Sequence, residues 1–86
     1  MGKTEKLLEK LARCDGNFSF REAETLLGQL GYERSDRGAT SGSVVLFYNR
    51  EKDALFRLHR PHPEKTLGVG VCKKLTHFLK ENGDYV

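Results

Sequence analysis

Val44-Val45-Leu46-Phe47-Tyr48, then Asn49-Arg50-Glu51-Lys52-Asp53, then Ala54-Leu55-Phe56-Arg57-Leu58-His59, is the stretch that decides the fold. Its first five residues are continuously apolar, with β-branched and aromatic side chains that suit a central strand. The polar run from Asn49 to Asp53 turns the chain. Ala54 to His59 then alternates, as a strand covered on one face does. Ala54, Phe56 and Leu58 share the face that the core should claim. Leu55, Arg57 and His59 share the other, so Arg57 and His59 point together at solvent or ligand. The pair reads as an antiparallel hairpin.

Working outward, Arg37-Gly38-Ala39-Thr40-Ser41-Gly42-Ser43 is a small-residue loop leading into the hairpin, and Tyr32 to about Asp36 reads as a short strand before it. Upstream, Ser19-Phe20-Arg21-Glu22 is a capping box, with Phe18 and Ala23 at the staple positions. Ala23, Leu26, Leu27 and Leu30 give that helix its buried face, and Gly31 can stop it in the left-handed conformation. Residues 3–13 form a further helix with Leu7, Leu8 and Leu11 in one stripe, broken by Asp15-Gly16-Asn17. Downstream, a last helix starts near Val69. Its Val71, Leu75, Phe78 and Leu79 fall on one face, with Lys73, Lys74, His77 and Lys80 off it, and Asn82-Gly83 ends it. The order is α-α-β-β-β-α. Three antiparallel strands with helices on one face make an α+β fold in a single domain, residues 1–86, and leave the second sheet face free to bind something.

Composition narrows the function. A chain of 86 residues buries only about 60–65% of its unfolded surface, so its core is small. With 37% hydrophobic and 31% charged residues it still has enough apolar material for two layers. No apolar run approaches the length of a membrane span and no signal-peptide pattern is visible, so a cytoplasmic protein without a membrane role is expected. Cys14 and Cys72 are isolated, with no CxxC pair, which argues against zinc and for two buried free thiols in a reducing compartment. Residues 34–80 hold ten Lys/Arg against four Asp/Glu, a net +6 within an overall +3. That field draws a polyanion to the middle and C-terminal part of the chain.

The chemistry-bearing segment is Leu58-His59-Arg60-Pro61-His62-Pro63. Two imidazoles that trade protons near neutral pH flank a permanent guanidinium, and two prolines stiffen the backbone that presents them. These are the residue types of metal-free RNA cleavage. A histidine takes the proton of a ribose 2′-hydroxyl, and a cation steadies the extra charge on the phosphate. His59 and His62 are the candidates for proton transfer, with Arg57 and Arg60 beside them. Ser41, Gly42 and Ser43, flanked by Arg34 and Arg37, offer amides and hydroxyls to a phosphate without forming a nucleotide P-loop. Lys73 and Lys74 can meet backbone phosphates from the last helix. Neither a metal nor an organic cofactor is called for. A strand end running into a solvated turn, an ordinary strand connection and a solvated helix face are the bland accounts of the same residues.

With these elements placed, the stretch from about Leu26 to Leu79 resembles the HicA, or YcfA-like, family of bacterial toxins. The matching features, in order, begin with Leu26 to Tyr32 and with Gly42-Ser43 opening an apolar strand that ends in Phe47. They continue with the second strand running into Leu58 to Pro63, Lys65-x-Leu67-x-x-Gly70, and the Lys73-Lys74-Leu75 helix. The resemblance implies a double-stranded-RNA-binding-like fold, a ribosome-independent mRNA interferase and a neutralising antitoxin of the HicB type. The helix over residues 3–13 is additional to the family's minimal pattern. The family places a catalytic histidine directly after the Gly-Ser that opens this strand, and here that position is Val44. Valine transfers no proton. Either this chain binds RNA or an antitoxin without cutting, or His59 or His62 on the neighbouring strand does the work.

Overall fold

The computed structural model describes residues 2–35, 44–59 and 66–84. Within them the elements run α1 (Lys3–Arg13), α2 (Phe20–Gln29), β1 (Glu33–Ser35), β2 (Val44–Asn49), β3 (Ala54–His59) and α3 (Val69–Glu81). The order is the expected α-α-β-β-β-α, and the strands form one antiparallel sheet in the order β1-β2-β3. The molecule is 19 Å through its shortest dimension, the depth of a sheet and one layer of helices.

Alternation decides which sheet face the helices cover. In β2 the side chains of Val45, Phe47 and Asn49 are buried, and in β3 those of Ala54 and Leu58. Phe56 is half-buried on the same face and packs, tilted, against Phe78 of α3, with ring centroids 4.9 Å apart. From the helices, Leu11, Ala23, Leu26, Leu27, Cys72, Leu75 and Leu79 join these in one core, each with no exposed surface. Burying each leucine is worth about 1.5–3 kcal/mol, and this cluster is where most of the apolar stabilisation lies. The staple residues Phe18 and Ala23 are both in it. In α3 the centre of the buried face is Cys72, Leu75 and Leu79, with Val71 and Phe78 at its margin.

The helix ends follow their sequence signals. Ser19 Oγ accepts from the Glu22 N–H at 3.0 Å, and Glu22 Oε1 accepts from the Ser19 N–H at 3.0 Å, a complete capping box. At the other end of α2, Gly31 takes φ +94°. Its N–H reaches the Gly28 carbonyl while the Tyr32 N–H closes on the Leu27 carbonyl at 2.9 Å. That geometry turns the Tyr32 ring into the core. α3 ends in the same way: Gly83 has φ +75°, and the Asp84 N–H closes on the Leu79 carbonyl at 2.8 Å. The Asp84 carboxylate is thereby delivered inward, where it accepts from Tyr32 Oη at 2.9 Å and pairs with Lys52.

Three expectations change in detail. Asn49 belongs to the end of β2 rather than to the turn. It is buried because its amide donates to the Leu30 carbonyl and its Oδ1 accepts from the Lys52 N–H. Tyr32 is a core residue before β1, not a strand residue. Of the two thiols expected to be buried, Cys72 is, but Cys14 is only half-buried. It caps α1 in the left-handed region at φ 47°. Its thiol donates to the Leu11 carbonyl at 3.3 Å and lies 3.9 Å from Thr76 Oγ1 of α3.

The extra helix is fully docked. Thr4 Oγ1 donates to Gln29 Oε1 at 2.7 Å near one end of α1, and Lys10 Nζ grips both Glu22 oxygens at 2.8 and 2.9 Å near the other. The two helices therefore run antiparallel. α1 also touches α3, with Cys14 at its C-terminal end beside Thr76.

Candidate nucleic-acid interface

The register of the hairpin places the candidate residues. Val44 pairs with His59, Val45 with Leu58, Leu46 with Arg57, Phe47 with Phe56 and Tyr48 with Leu55. Residues directly opposite one another point to the same face. One face is therefore the core face, and the other carries Val44, Leu46, Tyr48, Leu55, Arg57 and His59. Arg57, His59 and Leu55 are exposed there, as alternation required. Val44, Leu46 and Tyr48 form a half-buried apolar row beside them on β2. Glu33 and Ser35 extend this face across β1 through their pairing with Tyr48 and Leu46.

This face combines features that a nucleic acid can use. Arg57 and His59 are two residues apart on one strand, so their side chains leave the sheet about 7 Å from each other. Among the described residues neither has a carboxylate partner, so both are available to a ligand. Tyr48 offers an aromatic ring in the same row, its hydroxyl donating to Asp53 at 2.8 Å. That hydrogen bond to Asp53 raises the Tyr48 hydroxyl above its ordinary pKa and keeps it a neutral donor.

Of the remaining candidates, Arg37, Ser41, Gly42, Ser43, Arg60 and His62 lie outside the described residues. Lys73 and Lys74 are both exposed on α3, and the structure separates them. Lys73 lines an open groove of about 350 Å³ between the end of α1 and α3, together with Arg13, Cys14, Thr76, His77 and Lys80, whereas Lys74 does not. Sequence reasoning had no route to Arg13 or Cys14 as groove residues, because sixty-two residues separate Cys14 from Thr76. The only signal in the sequence was the set of polar residues of α3 lying off its apolar face.

Arg34, which sequence reading placed beside the small-residue loop, instead donates to Glu24 of α2 at 2.6 Å. Among the described residues no three His, Cys, Asp or Glu side chains converge as a metal site would need. No described helix is long and apolar enough to cross a membrane. Comparison with models of known protein families, with curated proteins and with solved structures finds no match to this chain.

Proposed function

We propose that this chain is a HicA-like mRNA interferase that acts in the cytoplasm, is neutralised by a HicB-type antitoxin, and has its working imidazole on the neighbouring strand. The observation that carries the proposal is the direct pairing of Val44 with His59. Across an antiparallel pair, opposite Cβ atoms are about 4.5–5.5 Å apart and share a face. An imidazole on residue 59 thus reaches much of the space that one on residue 44 would reach. Loss of a histidine at the family's position is offset by an exposed histidine directly across from it.

The chemistry needs no metal. His59 takes the proton from a ribose 2′-hydroxyl, and the 2′-oxygen attacks the adjacent phosphorus. Arg57, on the same face, stabilises the charge that builds on the phosphate oxygens. The 5′-oxygen leaves as the P–O bond breaks and takes up a proton, giving a 2′,3′-cyclic phosphate and a 5′-hydroxyl. The positive field of residues 34–80 favours the approach of RNA. An antitoxin that silences the site has to cover this basic face, with an acidic surface or a donated strand.

Val44 itself favours a second reading, a catalytically silent RNA-binding or antitoxin-binding module of the same fold. Incubating the protein with a defined mRNA in EDTA separates the two. Discrete fragments from the wild type, reduced at least a hundredfold in rate by His59→Ala with RNA binding retained, are the expected result. His62→Ala, alone and with His59→Ala, assigns the second proton transfer. Undiminished cleavage by the double variant would remove both histidines from the chemistry. Binding without cleavage by the wild type would leave the silent module.

A further inference from the structure

The groove between α1 and α3 gathers cations, Arg13 and Lys73 among them, that are exposed and take no part in the core. On α3, Lys73, Thr76, His77 and Lys80 stand at i, i+3, i+4 and i+7, one face of the helix and about 10 Å of its length. Across from them α1 ends in Arg13 and Cys14. Three permanently cationic side chains thus come from two helices to one seam. The positions of Arg13 and Lys80 have a local explanation, since each lies in the last turn of its helix where the dipole favours a cation. Lys73 has none, because it lies in the second turn of α3. Among the described residues neither Arg13 nor Lys73 has a carboxylate partner, while His77 is paired with Glu81 at 2.9 Å. Arg13 and Lys73, like charges brought to one helix–helix seam, cost folding energy, and a bound anion offsets that cost.

We infer that the α1–α3 groove binds the phosphate backbone of RNA, as a second contact surface remote in sequence from Arg57 and His59. The groove is open rather than enclosed, which fits a strand lying along it better than a small molecule buried in it. Its length has room for more than one phosphate. Thr76 Oγ1 donates to the Cys72 carbonyl at 2.8 Å and so spends its proton within α3, which leaves direct phosphate contact to the cations. The inference deepens the reading above and rests on it only for the choice of RNA as the polyanion.

The test measures binding of a short fluorescent 2′-O-methyl RNA, which cannot be cleaved through its 2′-oxygen, across a range of salt concentrations. Each phosphate contact on a single strand contributes about 0.7 to the slope of log K against log salt. The Arg13→Ala, Lys73→Ala double variant is expected to bind with a slope about 1.4 shallower, and about tenfold more weakly at physiological salt. The Arg13→Lys, Lys73→Arg variant is expected to keep the wild-type slope. Both positions are exposed, and circular dichroism confirms that each variant is folded. An unchanged slope in the alanine variant overturns the groove as an RNA site, even if the wild type cleaves mRNA. A reduced slope in a protein that never cleaves supports the groove and removes the nuclease. Polyglutamate binding that depends on Arg13 and Lys73, with no RNA binding by the wild type, overturns the inference in favour of an acidic protein partner.

Discussion

Leu11→Ala tests whether α1 is part of the fold or an appendage to it. Leu11 is fully buried and is the one residue of α1 inside the core, with Leu7 and Leu8 at its margin. The substitution removes three carbons, about 2.4 kcal/mol at about 0.8 kcal/mol each. The cavity it leaves adds to that, and fully buried Leu→Ala changes cost about 2.7–5 kcal/mol in well-packed cores. We expect about 3 kcal/mol here, because a site between helices at the side of a small core can partly collapse. A domain of this size has about 4–13 kcal/mol of stability in total. The loss should lower Tm by roughly 12–24 °C. Urea titration followed by circular dichroism should show a lower midpoint at unchanged slope. Leu8→Ala, half-buried, should cost about 1 kcal/mol. A loss below about 1 kcal/mol for Leu11→Ala would refute the claim that α1 shares the core, and with it the groove that α1 builds against α3.

Two further predictions concern pH. Burial pushes the Glu22 carboxyl up, but Lys10 and the Ser19 amide outweigh it and hold its pKa below the ordinary 4.5. A depressed carboxyl contributes stability above its unfolded pKa that is lost as pH falls through the folded one. The wild type should therefore lose stability between about pH 5 and 3 more steeply than Glu22→Gln, which should itself be about 0.5–1 kcal/mol less stable at pH 7. Tyr32 is shifted the other way: burial, with the neighbouring Asp84 carboxylate, pushes its hydroxyl well above 10. Its neutral form contributes stability below pH 10 that is lost as pH rises beyond it. Tyr32→Phe should cost about 1–3 kcal/mol at pH 7 by leaving Asp84 short of a donor, and should flatten the alkaline limb of a Tm-against-pH curve.

Most of the architecture was legible because short-range rules governed it. The Ser19–Glu22 box, the Gly31 and Gly83 stops and the alternation of Ala54 to His59 are each decided within a few residues, and each fixed a boundary or a face. The pairing of His59 with the start of β2 followed from the hairpin alone. Long-range polar partnerships were not legible. Asn49, read from the sequence as part of a polar turn, and Asp84, on which no local signal bears, are both buried. Leu30, nineteen residues away, accepts from the Asn49 amide, and Asp84 has Tyr32 and Lys52 as its distant partners. The α1–α3 groove is of the same kind. Its cations were visible along α3, but nothing local reveals that Arg13 stands opposite them.

The docking of α1 against α3 also bears on how the chain is made. α1 leaves the ribosome before α3, and the Thr76 side of its seat is synthesised sixty-two residues after Cys14. At about 5–20 residues per second, that is a wait of roughly 3–12 s. The antiparallel partner α2 emerges within that interval and can shield part of the leucine stripe through the Lys10–Glu22 and Thr4–Gln29 contacts. The side that meets α3 stays uncovered until α3 itself is out. A nascent chain stalled before Val69 would present that apolar side to chaperones and proteases, and the groove would not yet exist. Any activity that depends on the groove is therefore confined to chains synthesised past α3.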